Sequence, residues 1–260
     1  NNVRDLFVDA PDKPRPVPGK GVQNGASAGA ASGHKVLVLH GWGQSGGTFE
    51  KRTKVLRKKL EKAGATLVYA HAPHAVPAFS PDETDARGWW YYNDEDRGDC
   101  SAVLPDGELP FQVSAVPFLG LEDTFEYLAG LWQTAGPFAG VFAFSQGAGM
   151  ASLVAKCAER DARFASLRYA IFVSGFWLRP AGGDWYVGPV HLPSLHVMGC
   201  ADAMVPEAVN RQLVARYPNS RVQVHGGGHI VPQGAADIPV YLEFIQECMA
   251  TTTTTTTTTT

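Results

Sequence analysis

Three residues far apart in the chain carry the chemistry of a nucleophile, a base and an acid, each within a stretch of small residues. Ser145 lies in Ala143-Phe-Ser-Gln-Gly147, after an apolar run and before the helical run Ala148-Gly-Met-Ala-Ser-Leu-Val154. This is the G-x-S-x-G pattern with Ala at its first small position. Small residues flank such a serine because backbone atoms crowd a sharp strand-to-helix turn. The turn also lifts the hydroxyl to a helix N-terminus, where free N–H groups favour developing negative charge. A hydroxyl is a poor nucleophile without a base, and the base needs an acid to orient it. In the chain order Ser, Asp/Glu, His, the last two are expected after later strands. Asp202 follows SLHVMG in Gly199-Cys-Ala-Asp-Ala-Met-Val-Pro206, and His229 follows RVQVH in Gly227-Gly-His-Ile-Val-Pro232. Those separations suit one βα unit and then roughly one more. His225 is a rival base, but it ends a strand, whereas a loop tip reaches across to Ser145 more easily. Asp184 and Asp237 are rival acids with worse placement.

A second loop, His40-Gly-Trp-Gly-Gln-Ser-Gly-Gly-Thr48, also joins a strand to a helix and fits three templates. As G-x-G-x-x-G (Gly41, Gly43, Gly46) it would bind a dinucleotide, which requires an acidic residue at the end of the second strand. That strand ends at His71-Ala-Pro73, and the nearest acid, Glu61, belongs to the preceding helix. As a phosphate-binding G-x-x-x-x-G-K-[ST] loop it has Gly47 where the lysine must stand. The third template is a His-Gly turn that donates a backbone N–H to an oxyanion. On that reading the amides of Trp42 and Gln146 form the oxyanion hole. A glycine turn without chemistry is the plain alternative for this loop taken alone.

The elements that must position these residues are legible from periodicity. Strand candidates are Lys35–His40, Ala65–His71, Gly140–Ser145, Tyr169–Ser174, Ser194–Gly199 and Arg221–His225. They are nearly continuous apolar runs, as expected of parallel strands buried on both faces. Amphipathic helices are expected over 48–63, 119–133, 146–160, 206–217 and 237–249, so the alternation predicts an α/β fold: an open, mostly parallel sheet flanked by helices. Residues 72–118 and 176–193 interrupt it as insertions of a length that forms lids or pocket walls. Trp89, Trp90, Phe176 and Trp177, with Trp42 and Val205, fall in these insertions or near strand ends, where open α/β sheets bind ligands. They are candidate walls of an apolar acyl pocket, with simple packing of the insertions as the alternative. Arg87 is a candidate contact for a carboxylate or phosphate.

Composition sets the outer limits. Of 260 residues, 1–33 form a Pro/Gly/Ala-rich segment and 251–260 a threonine tail, leaving 34–250 as one α/β domain that can bury a full core. Hydrophobic content of 45% and charged content of 18% are those of a globular chain. A net charge of −3 gives no basic excess for phosphates, so nucleic acid is not an expected partner. The charge-free stretch Tyr127–Ala155 is interrupted by Ala135-Gly-Pro137, which argues for a strand between helix segments and against stable membrane insertion. The basic run Lys51–Lys62 could meet an acidic carrier or membrane surface, but reads first as the solvated face of an amphipathic helix. Asn93–Asp99 is acidic yet fails the EF-hand pattern. The four scattered cysteines form neither a zinc pattern nor a disulfide framework, and no secretory signal is visible, which favours a reducing, cytoplasmic compartment. The oligomeric state is left open.

The set VLVLHGWGQSG, GPFAGVFAFSQGAGM, MGCADAMVP and GGHIVP, with Arg87-Gly-Trp-Trp-Tyr91 in the long insertion, resembles the FSH family of serine hydrolases, a branch of the α/β hydrolases. The resemblance runs from residue 35 to about 248. It implies Ser145 as nucleophile, Asp202 and His229 as its partners, and small-molecule or carrier-bound ester or thioester substrates, without metal or cofactor. Fungal members include enzymes that release polyketide chains from a carrier thioester. Ala143 departs from the family's usual glycine, which is harmless provided the position does not need positive φ. Acyl-protein thioesterases share a similar serine motif but lack G-G-H-x-V-P, and rank second. The non-enzyme alternative is a hydrolase-fold ligand-binding protein.

Overall fold

The computed structural model describes residues 33–78, 83–91, 118–179 and 188–250. The N-terminal segment, the Asn93–Asp99 run, Asp184 and the threonine tail lie outside them. Six strands, β1 (His34–Leu39), β2 (Ala65–Tyr69), β5 (Gly140–Phe144), β6 (Tyr169–Val173), β7 (Ser194–Gly199) and β8 (Ser220–His225), form one sheet in the order β2-β1-β5-β6-β7-β8. Every neighbouring pair is parallel. Two short strands, β3 (His74–Ala75) and β4 (Arg87–Gly88), pair antiparallel within the first insertion.

Each face of the sheet has its own core. Helices α1 (Gly46–Arg52), α2 (Lys54–Lys62) and α6 (Asp237–Ala250) cover one face through Phe49, Leu56, Leu60, Tyr241 and Phe244, packed on Val36, Val38, Phe142 and Ile171. Helices α3 (Leu121–Thr134), α4 (Gln146–Cys157) and α5 (Glu207–Val214) cover the other through Phe125, Leu128, Leu153 and Leu213, packed on Leu37, Leu39, Val141 and Phe172. Alternate strand residues feed the two cores, as the two-residue period requires. From β1 the chain winds outward to β2, and from β5 it winds the opposite way through β8, so the strand order reverses between β1 and β5. Ligand sites of open α/β sheets lie at the carboxyl ends of the strands flanking such a reversal.

Two sequence expectations need correction. The single helix over 48–63 is two helices, hinged at Thr53, whose hydroxyl donates to the Phe49 carbonyl at 2.8 Å and meets the Tyr69 hydroxyl at 2.8 Å. A hydroxyl bonded back to the preceding turn bends a helix, and here a strand residue holds the bend. Helix α1 also begins earlier than expected because Ser45 caps it, accepting the Thr48 N–H at 3.1 Å. Second, β8 is not buried on both faces. It is an edge strand that leaves Val222 and Val224 exposed, while Arg221 reaches Glu247 of α6. Its apolar residues reflect β-propensity rather than core membership.

Two buried histidines give the fold an acid limit. Burial pushes His196 of β7 down to about 3 and His40, at the end of β1, down to about 4. His196 meets the Ser194 hydroxyl at 3.0 Å and packs its ring on Phe172 and Tyr217. Below the ordinary value of 6.5 the unfolded chain takes up protons that these folded histidines refuse, so stability falls with pH. Each histidine removes about 1.4 kcal/mol per pH unit until its folded value is reached. Urea unfolding between pH 7 and 4 is expected to show this loss, with about half of it removed in His196→Gln and the rest left to His40.

Candidate active site

The reversal in strand order brings together the residues that follow β1 and β5. Ser145 stands between β5 and α4 with φ 55° and ψ −120°, and its N–H donates to the Val173 carbonyl of β6 at 2.9 Å. Ala143 lies inside β5, and among the described residues only Ser145 and Ser174 are non-glycine residues with positive φ, so the alanine meets its backbone requirement. Gly147 is fixed by contact. A Cβ there would sit 2.5 Å from the His40 carbonyl oxygen and 2.7 Å from that of Leu39, both backbone atoms at the end of β1. Gly147→Ala is therefore expected to push α4 off β1. Overpacking costs about 1–3 kcal/mol, and the displaced Ser145 should react at least about tenfold more slowly. Paired melting curves and rates of fluorophosphonate labelling check both.

The later strands deliver the partners. His229 Nε2 lies 2.9 Å from Ser145 Oγ, and His229 Nδ1 lies 2.8 Å from Asp202 Oδ2. An ionised carboxylate only accepts, so Nδ1 carries the hydrogen and Nε2 is left to accept from the serine hydroxyl. The Phe144 ring packs against the imidazole at 4.7 Å between centroids. The Asp202 side chain is fully buried, and burial alone would raise its carboxyl. Hydrogen bonds from His229, the Val205 N–H and Ser174, with the His229 charge, outweigh this and hold it below the ordinary carboxylate value. The rivals are engaged elsewhere: His225 Nδ1 accepts the Gly227 N–H at 3.1 Å, and Asp237 accepts the Gly234 N–H at 2.8 Å at the start of α6.

The glycine-rich loop runs alongside the serine. A Cβ on Gly41 would lie 3.3 Å from Ser145 Cβ, which puts the next amide, that of Trp42, beside Ser145. Gln146 is the first residue of α4, where no carbonyl of the helix is in place to accept its N–H. These are the two amides the sequence assigns to an oxyanion. The loop is braced from several sides. Its Gly43 N–H donates to the Arg87 carbonyl and the Arg87 N–H to the Gln44 carbonyl. His40 donates from Nδ1 to the Gly41 carbonyl at 2.8 Å and accepts the Ala72 N–H on Nε2 at 3.2 Å, a neutral tautomer. The Trp89 indole N–H donates to the His40 carbonyl at 2.7 Å.

Gln146 adds a clamp that sequence reading missed. Its Oε1 accepts the Trp89 N–H at 2.8 Å and its Nε2 donates to the Trp90 carbonyl at 3.0 Å. The side chain thus ties the first turn of α4 to the insertion. Of the candidate pocket residues, Trp89, Trp90, Phe176 and Val205 lie inside the packed core, with Phe176 against Trp90 and next to Gly149. The Val205 N–H donates to Asp202 Oδ1. The Trp42 ring lies against Gly88. The guanidiniums of Arg216 and Arg179 lie over the Trp177 ring, 3.6 Å and 4.8 Å from its centroid. Arg87 pairs with Asp85 at 2.7 Å. Among the described residues no three His, Cys, Asp or Glu side chains converge on a point that could hold a metal ion.

With a parallel sheet, a strained serine at the strand reversal and helices on both faces, the chain has the fold of the α/β hydrolases. Solved structures agree: acyl-protein thioesterase 2 of Zea mays superposes with a TM-score of 0.58 at 17% identity, covering 86% of this chain and 97% of that one. Esterase PE8 gives a TM-score of 0.55 at 20% identity, covering 84% and 94%. At the level of sequence the family model of the serine hydrolases (FSH1) matches residues 30–239, and the chain belongs to that family. Among curated relatives, esterase OVCA2 of Mus musculus is 34% identical over 226 residues and that of Danio rerio 32% over 238, each alignment spanning 82% of this chain and 96% of the relative.

Proposed function

We propose that the chain hydrolyses carboxylic esters or thioesters of apolar acyl groups through an acyl-enzyme on Ser145. The observation that carries this reading is the unbroken line of contacts from Ser145 Oγ through His229 to a buried Asp202. His229 Nε2 takes the hydroxyl proton as Oγ attacks the acyl carbonyl. The oxyanion forms against the amides of Trp42 and Gln146, and Asp202 stabilises the imidazolium. His229 then returns the proton to the departing alkoxide or thiolate. In the second half it deprotonates a water that attacks the acyl-enzyme, and the proton passes back to Oγ as the acid leaves. The relatives named esterases and the thioesterase of similar fold support ester or thioester bonds as the target.

An apolar acyl chain is supported by the rim of the site. Met204, two residues past Asp202, and Ile230, next to His229, are exposed by 54% and 52%, so the loops that deliver acid and base both present aliphatic surface. Free thiols would suit a cytoplasmic setting: the described cysteines Cys157, Cys200 and Cys248 are all free, and Cys200 is exposed. No described helix is long and apolar enough to cross a membrane.

The test is hydrolysis of a p-nitrophenyl ester series from acetyl to palmitoyl beside matched thioesters, with mass mapping of fluorophosphonate to the Ser145 peptide. Turnover with labelling at Ser145 upholds the reading. A folded protein that neither turns over nor labels marks a hydrolase-fold binding protein. Within the series, Ile230→Asn is expected to raise KM for long chains by about tenfold while leaving acetyl ester turnover unchanged, since burying each methylene contributes about 0.8 kcal/mol.

A further inference from the structure

Beneath the acid lies a second serine that the reaction scheme above does not use. We propose that Ser174 is a positioning residue for hydrolysis at this site, its hydroxyl fixing the Asp202 oxygen that orients His229. The inference rests on the reading of Ser145, His229 and Asp202 as the hydrolytic residues.

Ser174 follows β6 as Ser145 follows β5. Each donates its N–H to a carbonyl in the C-terminal half of the next strand: Ser145 to Val173, the last residue of β6, and Ser174 to Val197 of β7 at 2.8 Å. Both adopt positive φ, 48° in Ser174. That conformation disfavours a side chain and would suit glycine, so a buried serine kept there points to a use for its hydroxyl. Its Oγ donates to Asp202 Oδ2 at 2.8 Å, the oxygen that also faces His229 Nδ1. Oδ1 meanwhile accepts the N–H groups of Met204 at 3.0 Å and Val205 at 2.9 Å. The carboxylate therefore has two donors on each oxygen and cannot rotate without breaking a pair. The amides fix Oδ1 alone, and Ser174 is what stops Oδ2 from swinging with the imidazole.

The hydroxyl also sets how much negative charge His229 meets. A donor on Oδ2 draws charge away from the imidazole, and its removal leaves that oxygen to His229 alone. His229 is the titratable group whose charge bears on Asp202. Cys200, on the same turn, is exposed, and His225 at the end of β8 directs Nδ1 to Gly227.

The test measures kcat, KM and the pH profile of kcat/KM on a soluble acyl ester for wild type, Ser174→Ala and Ser174→Gly, with Ser145→Ala as blank. Both Ser174 variants are expected to lose about tenfold in kcat with KM unchanged, and to alter the acid limb of the kcat/KM profile, which reports the base and its carboxylate partner. The glycine variant relieves the backbone, so an equal loss in both assigns the effect to the hydroxyl. A pH profile that overlays wild type, or a loss in alanine that glycine restores, overturns the proposal. If wild type itself shows no Ser145-dependent turnover or labelling, the reading beneath it fails first and the proposal falls with it.

Discussion

Asp202→Asn is expected to lower kcat by on the order of 10⁴ while leaving the fold intact, a loss of the size seen when a base is held in the wrong tautomer. The direction of the amide decides this. Oδ1 receives two backbone N–H groups, from Met204 and Val205, so an asparagine must place its carbonyl oxygen there and cannot turn its NH₂ toward them. The NH₂ group then faces His229 Nδ1 and Ser174 Oγ, where the carboxylate oxygen stood. Ser174 adapts by rotating its hydroxyl to accept. His229 adapts by accepting on Nδ1, which moves its hydrogen to Nε2, the atom aimed at Ser145. A nitrogen that already carries a hydrogen cannot take the serine proton. Steady-state hydrolysis and fluorophosphonate labelling should fall together, because both need the activated hydroxyl. A loss below tenfold in a folded variant would mean that another group orients His229.

The positions of Ser145, Asp202 and His229 were legible because each is a strand-end event. A continuous apolar run, a small-residue turn and a helix start are local patterns, and a parallel sheet sends every such turn to the same edge. The alternation of strands and helices likewise gave the sheet its class. What lay beyond local pattern was contact between elements distant in the chain. Thr53 hinges the first helix because Tyr69 of β2 reaches its hydroxyl. Nothing between residues 48 and 63 announces that. Val222 and Val224 read as core because β-branched residues suit any strand, and only the strand order makes β8 an edge. The Gln146 clamp joins α4 to Trp89 and Trp90 across the first insertion, and Ser174 reaches Asp202 from a neighbouring strand. A serine that ends a buried apolar strand, as in Tyr169–Ser174, was the available signal for Ser174. It became meaningful once the structure placed Asp202 beside it.

The same strand-end geometry makes Ser145 a site of stored strain, and Ser145→Gly should release it. At φ 55° and ψ −120° a residue with a Cβ costs about 1–3 kcal/mol, while glycine adopts the conformation freely. Against that gain stands the lost hydrogen bond to His229, typically about 1 kcal/mol. Ser145→Ala loses the same bond but keeps the strain. On the proposed mechanism both variants remove the nucleophile, and kcat should drop by on the order of 10⁵ or more, leaving what binding and the proposed oxyanion amides supply without it. Their stabilities should separate. A kcal/mol moves Tm by about 2–4 °C in a chain of this size, so the glycine variant is expected to melt several degrees above the alanine variant, and at or above wild type. Calorimetry on the three proteins reads this directly. A glycine variant that melts with or below the alanine variant would show that the turn is not strained. The serine's backbone would then be set by its contacts alone, and its hydroxyl would stand above the sheet at no cost to the fold.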